Sequence, residues 1–133
     1  MTKTATGQYT ITQWSEAPFK ALTPPQKANM AEIKMEFDGD LVGHSETRYL
    51  MAYVNDDTAY FNGTQHFSGE LNGQQGEFVI LEQGEFKDGI ATSQWQIVEG
   101  SGTGALKGIV GSGHYRAGHG CSADYQLDYQ LNT

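Results

Sequence analysis

Two dipeptides, Asn72-Gly73 and Asp88-Gly89, each separate a pair of alternating segments, and they constrain this chain more than any other feature. A two-residue hairpin of type I′ needs φ > 0 at both turn positions, and Asn-Gly and Asp-Gly tolerate that best. Further turn signals stand at Asp38-Gly39-Asp40, Asn55-Asp56-Asp57, residues 100–104 and Gly118-His119-Gly120. Their spacing is that of a β-sandwich or barrel. Between them the sequence alternates, predicting strands over 6–14, 29–37, 41–54, 58–71, 74–86, 90–98, 107–115 and 122–131. One stretch admits two readings. Pro24-Pro25 suits the first turn of a helix over 26–37, with Met30, Ile33 and Phe37 on one face. Yet Ala31, Ile33, Met35 and Phe37 alternate with Glu32, Lys34 and Glu36, which favours a strand. Residues 15–25 then form a long connection over one end.

The turns also set register, and register decides which side chains face inward. Asn72-Gly73 puts Phe67 opposite Phe78, Gln65 opposite Ile80 and Gly63 opposite Glu82. Asp88-Gly89 puts Glu82 opposite Trp95. A three-residue turn at 55–57 sets Met51 opposite Phe61 and Tyr49 opposite Gly63, and the same turn at 38–40 sets Asn29 opposite Tyr49. One face then gathers Ile33, Met35, Phe37, Phe67, Phe86 and Ile97 with Tyr49, Met51, Phe61, Phe78, Ile80 and Trp95. Tyr115, Tyr125, Leu127, Tyr129 and Leu131 join it by alternation. The other face carries Glu32, Lys34, Glu36, Glu77, Asp124, Gln126 and Asp128. No helix is available to cover the apolar face, so the sheet must curl on itself or pair with another. Inward glycines such as Gly43, Gly63, Gly69 and Gly84 let a small sheet bend. The expected fold is all-β: a closed antiparallel barrel of about eight strands in one domain, with a sandwich as the alternative.

With 133 residues the chain can bury a core without disulfides, and its single Cys121 cannot form one within the chain. Sixteen acids against eight bases give a net charge of −8, which argues against nucleic acid, whose phosphates need basic grooves. Residues 2–7 are polar and lack the charged-then-apolar pattern of a signal segment. No run approaches the roughly 18 apolar residues of a membrane helix. A cytoplasmic protein without membrane contact is expected.

The polar residues on the inner face carry the chemical interest. They are Asn29, Ser45, Thr47, Tyr49, Gln65 and Glu82. Glu82 faces Trp95 and Gly63, and Tyr49 lies just beyond that glycine. A cavity lined by Tyr49, Glu82 and Trp95 follows, and burial there would raise the carboxyl pKa toward the range of an acid–base group. The competing reading is a carboxylate at the barrel mouth, in water or bonded to Tyr49. Met51, Phe61, Gln65 and Phe78 complete the expected ligand-binding set. His114, His119 and Cys121 match no established metal-ligand spacing, so no metal and no cofactor are expected. Residues 100–104 are Gly-rich but lack the lysine and helix of a P-loop, and read as a turn before Leu106.

Several stretches together resemble a known family. They are Tyr49-Leu50-Met51-Ala52-Tyr53, Phe61-x-Gly63, Gly76-x-Phe78-Val79, the run from Gly100 through Gly104 to Leu106-x-Gly108, and Tyr125-x-Leu127-x-Tyr129. The resemblance is to a family of small bacterial proteins of unknown function with a fold similar to the allene oxide cyclase-like barrel. It implies an eight-stranded barrel and no particular activity, since no catalytic residue of allene oxide cyclases maps here by motif. Three functions are open. The first is a calycin-type barrel binding a small, largely apolar molecule. The second is an isomerase or cyclase using Glu82 and Tyr49. The third is a barrel filled by its own side chains, acting as a structural or interaction subunit. Outer-face Leu50, Ala52, Val54, Tyr60, Asn62, Thr64 and Val98 form an uncharged strip, so a homo-oligomer, dimer or trimer, is expected.

Overall fold

The computed structural model describes residues 2–118 and 122–131. Eight antiparallel strands follow one another around a closed barrel: β1 (Lys3–Lys20), β2 (Lys27–Gly39), β3 (Leu41–Asn55), β4 (Thr58–Leu71), β5 (Gln74–Lys87), β6 (Ile90–Ile97), β7 (Ile109–Ala117) and β8 (Ser122–Leu131). β8 returns to pair with β1, so no sheet edge is left along the paired lengths. Among the described residues the only helical turn is a 3₁₀ piece, Gly104–Leu106. Segment 26–37 is strand from Lys27 on, as its period of two requires.

Asn72-Gly73 and Asp88-Gly89 adopt the geometry that their sequences suggest. Asn72 has φ 50° and Gly73 φ 83°; Asp88 has φ 51° and Gly89 φ 83°. The registers that follow are present: Gly63 faces Glu82, Glu82 faces Trp95, and Tyr49 faces Gly63.

Three expectations need correction. Asn29 pairs with Met51, and Ala31 takes the place opposite Tyr49. The reason lies at the 38–40 turn, where the strand tips splay. Gly39 pairs outward with Gly7 of β1, and Leu41 with Leu71 of β4. The slip is two residues, so inward and outward faces are unchanged. The second correction is β1, which runs on to Lys20 and leaves only 21–26 as connection. It does so through a β-bulge between Ile11 and Gln13, which pair with the consecutive residues Met35 and Lys34. The extra residue, Thr12, shifts the inward parity of β1, so Trp14 and Glu16 oppose the inward Ile33 and Ala31. Third, β7 starts at Ile109, because 98–108 turn inward to bury Leu106.

Across the barrel waist, from β2 round to β1, the facing positions are Ala31, Tyr49, Gly63, Glu82, Trp95, Gly113, Leu127 and Ala5, so every large side chain stands beside at least one small residue. The reason is spatial. A Cβ on Gly63 would lie 2.1 Å from the Arg48 carbonyl oxygen and 2.6 Å from the Tyr49 ring, so the missing side chain is the slot Tyr49 occupies. Gly84 serves Phe61 the same way, at 2.7 Å. The lower end, where the chain enters β1, is packed shut by Leu41, Leu71, Leu106, Ile109 and Tyr129. Above them Phe37, Phe67, Phe78 and Tyr125 stack in tilted and edge-on pairs.

Candidate functional site

The upper end is different. It holds a cavity of about 190 Å³, lined toward the barrel end by Phe86, Ala91 and Ala117 at the tips of β5, β6 and β7. Its floor is three tyrosines, Tyr9, Tyr49 and Tyr115. Met35, Met51, Phe61 and Phe86 wall it, and Trp14 and Tyr53 stand at the rim. Trp14 reaches the rim because the β1 bulge turns it inward.

Under the floor lies a closed polar network around Glu82, which is only 4% exposed. Its Oε1 accepts hydrogen bonds from the Tyr49 hydroxyl (2.9 Å), Trp95 Nε1 (2.9 Å) and Ser93 Oγ (3.2 Å). Its Oε2 accepts from Gln65 Nε2 (3.0 Å), and the Gln65 amide oxygen accepts from Ser45 Oγ (2.6 Å). Burial pushes the Glu82 carboxyl up from the ordinary carboxylate range to about 7, against the pull of those four bonds. The same burial, reinforced by the Glu82 charge, lifts Tyr49 far above the usual phenol range. Tyr115 is raised by burial and then by Glu82, and its hydroxyl lies 3.4 Å from that of Tyr49.

A second carboxylate, Glu16, is half-buried at the rim. Trp14 Nε1 (3.0 Å), Asn29 Nδ2 (2.6 Å) and the Tyr53 hydroxyl (2.9 Å) all donate to it. Burial and the bond to Glu16 raise the Tyr53 phenol.

Of the residues singled out in the sequence, Tyr49, Met51 and Phe61 line the cavity. Gln65, Glu82 and Trp95 form the network beneath it, and Phe78 lies deeper, against Phe67. Glu82 is therefore enclosed and bonded to Tyr49, and it reaches the cavity only through that hydroxyl. Sequence reasoning missed Ser93, although alternation from Trp95 marks it as inward. It also missed Glu16 and Trp14, which no period reveals, because a bulge sits between them and the regular part of β1. Among the described residues, no three His, Cys, Asp or Glu side chains are grouped to hold a metal ion. His114 points outward; His119 and Cys121 lie outside the described residues.

Comparison with known proteins agrees with this architecture. A family model described as "Protein of unknown function (DUF3224)" matches residues 5–129. The chain belongs to the DUF3224 family. The crystal structure of a DUF3224 protein of unknown function from Shewanella oneidensis MR-1 superposes on this DUF3224 chain with a TM-score of 0.79. The two are 21% identical, and the match covers 100% of each chain, which establishes the shared fold. No curated protein matches the chain in sequence. The resemblance seen in the sequence, to a bacterial family of unknown function with a barrel fold, thus holds.

Proposed function

We propose that this DUF3224 protein binds a small, largely apolar molecule in the upper cavity. The observation that carries the reading is the contrast between a sealed lower end and an open space with aromatic and aliphatic walls. A cavity of about 190 Å³ suits a molecule of roughly one ring, since an apolar cavity of about 150 Å³ accepts benzene. Toluene is a suitable probe, followed by NMR shifts of the Tyr49, Met51 and Phe61 side chains. Saturable shifts at these residues are expected. Ala91→Phe, which fills the mouth, should weaken binding about tenfold or more. Absence of shifts at millimolar toluene, or shifts indifferent to Ala91→Phe, would remove the reading.

One observation favours a second reading, an isomerase or cyclase of the allene oxide cyclase-like kind. A carboxyl group near pKa 7 stands one hydroxyl away from the cavity, through Tyr49. Turnover under this reading should fall about a hundredfold in Glu82→Gln, while toluene affinity stays within about tenfold.

The outer wall supports self-association. Leu50, Val54, Tyr60 and Leu81 are each about half exposed. In a chain of net charge −8, an uncharged strip is where two copies repel least. Light scattering that finds only a 14.6 kDa species at high micromolar concentration would remove this part.

A further inference from the structure

The tyrosine floor constrains the polar chemistry of whatever enters the cavity. Trp95 Nε1 has only a hydrogen to give, and gives it to Glu82 at 2.9 Å. Gln65 turns its NH₂ to Glu82 while its oxygen takes the hydrogen of Ser45. Ser93 donates as well. Glu82 is thus ringed by donors, the arrangement that suits an anion. Tyr49 commits its one hydrogen to the same carboxylate, so its oxygen has only lone pairs left to offer. Tyr115 is placed to donate to that oxygen, but at 3.4 Å the contact is long and weak. The Tyr49 hydrogen therefore runs toward Glu82, and Tyr49 presents an acceptor oxygen to the cavity.

The surrounding charge has the same sign. Among the described residues, no Lys, Arg or His lines the cavity. Glu16 sits at the rim and Glu82 under the floor. A carboxylate seated on the Tyr49 oxygen would meet lone pairs and two like charges. A hydroxyl or ammonium would find unpaired oxygen lone pairs with a carboxylate behind them, and an ammonium would also meet aromatic faces.

We infer that the cavity takes a single-ring molecule carrying one hydrogen-bond donor, a neutral hydroxyl or an ammonium, seated on the Tyr49 oxygen, and rejects the matching carboxylate. This rests on the cavity being the ligand site. The test uses five probes of similar size at pH 8, by calorimetry or NMR titration: toluene, anisole, benzyl alcohol, benzylamine and benzoate. Benzyl alcohol and anisole are isomers that differ in having a donor. Benzyl alcohol should bind about fivefold tighter or better, the scale of one net hydrogen bond. Benzoate should bind weakest of the five. Benzylamine tighter than benzyl alcohol would identify the ammonium as the preferred source, and the reverse order the neutral hydroxyl; either supports the inference. Tyr49→Phe should bring the alcohol-to-anisole ratio near one. Tyr115→Phe should keep or increase the ratio, because it frees the Tyr49 lone pairs. If Tyr49→Phe does not fold, the wild-type ratio and the Tyr115→Phe ratio decide. Toluene binding with anisole equal to or tighter than benzyl alcohol, or benzoate binding as well as the alcohol, overturns the inference and leaves the cavity reading standing. No binding of toluene overturns both.

Discussion

The two ends of this barrel use the same residue type in opposite ways. At the lower end, tyrosine hydroxyls fasten the turns. Tyr125 accepts from the Leu41 amide (2.9 Å) and donates to the Asp38 carbonyl (2.8 Å), and Tyr129 accepts from Asn72 (2.7 Å). Leucines and isoleucine fill the space between, all fully buried. At the upper end, Tyr49 and Tyr53 donate to carboxylates, Glu82 and Glu16, and their rings border empty space. The difference shows where stability and where recognition reside. Close packing with satisfied turns holds the barrel shut below. Above, large side chains stand apart and buried charge is tolerated.

Truncation should expose this contrast most clearly. Leu106 is fully buried in the lower plug, so Leu106→Ala should cost about 3 to 4 kcal/mol in chemical denaturation. A loss below about 1 kcal/mol would mean that the lower end is not the sealed one.

The next effect is electrostatic. Glu82 titrates near 4.5 when unfolded and at about 7 when folded. Its folded value is raised, so its relative contribution is fully present below about pH 4.5 and is lost as pH climbs through about 7. The difference amounts to roughly 3 kcal/mol. Wild type should weaken over this window by that amount relative to Glu82→Gln. Parallel stability profiles for the two proteins would show that Glu82 is solvated and that the upper network is open.

Trp14 at the rim is 46% exposed. Trp14→Ala should therefore cost only about 1 kcal/mol, despite removing a far larger side chain than Leu106→Ala does. A loss matching that of Leu106 would erase the distinction between the ends.

The smallest effect concerns Thr47, whose hydroxyl is the one buried side-chain polar group without a partner among the described residues. Thr47→Val keeps its shape and removes the unmet group, so stability should stay level or rise by up to about 1 kcal/mol. A loss above about 1 kcal/mol would mean that the hydroxyl has a partner after all, such as a buried water.

Much of the architecture was legible in the sequence, and the residues show why. Asn72-Gly73 and Asp88-Gly89 fix a backbone geometry locally, and a period of two carries that register along 58–97 without further information. With the three-residue turn at 55–57, that was enough to bring Tyr49, Gly63, Glu82 and Trp95 together. The hairpin at 38–40 was less legible, because Gly39 and Leu41 respond to strands far away in sequence. Nor could the site be drawn fully. Gln65 and Phe78 face the interior as alternation requires, but alternation has no coordinate along the barrel axis. Whether an inward side chain meets the cavity or the plug depends on strand tilt and on what its neighbours fill.

The sequence by itself determined the class of fold, the pairing of the central strands and the inward direction of a carboxylate, because each follows from local turn chemistry and strict alternation. Only the tertiary structure decided where empty space would lie. It did so through two non-local events: Leu106 folding in from the 98–108 connection to close one end, and the bulge at Thr12 turning Trp14 and Glu16 toward the other. Both depend on which surfaces meet once the sheet has closed, and an unclosed strand carries no record of that.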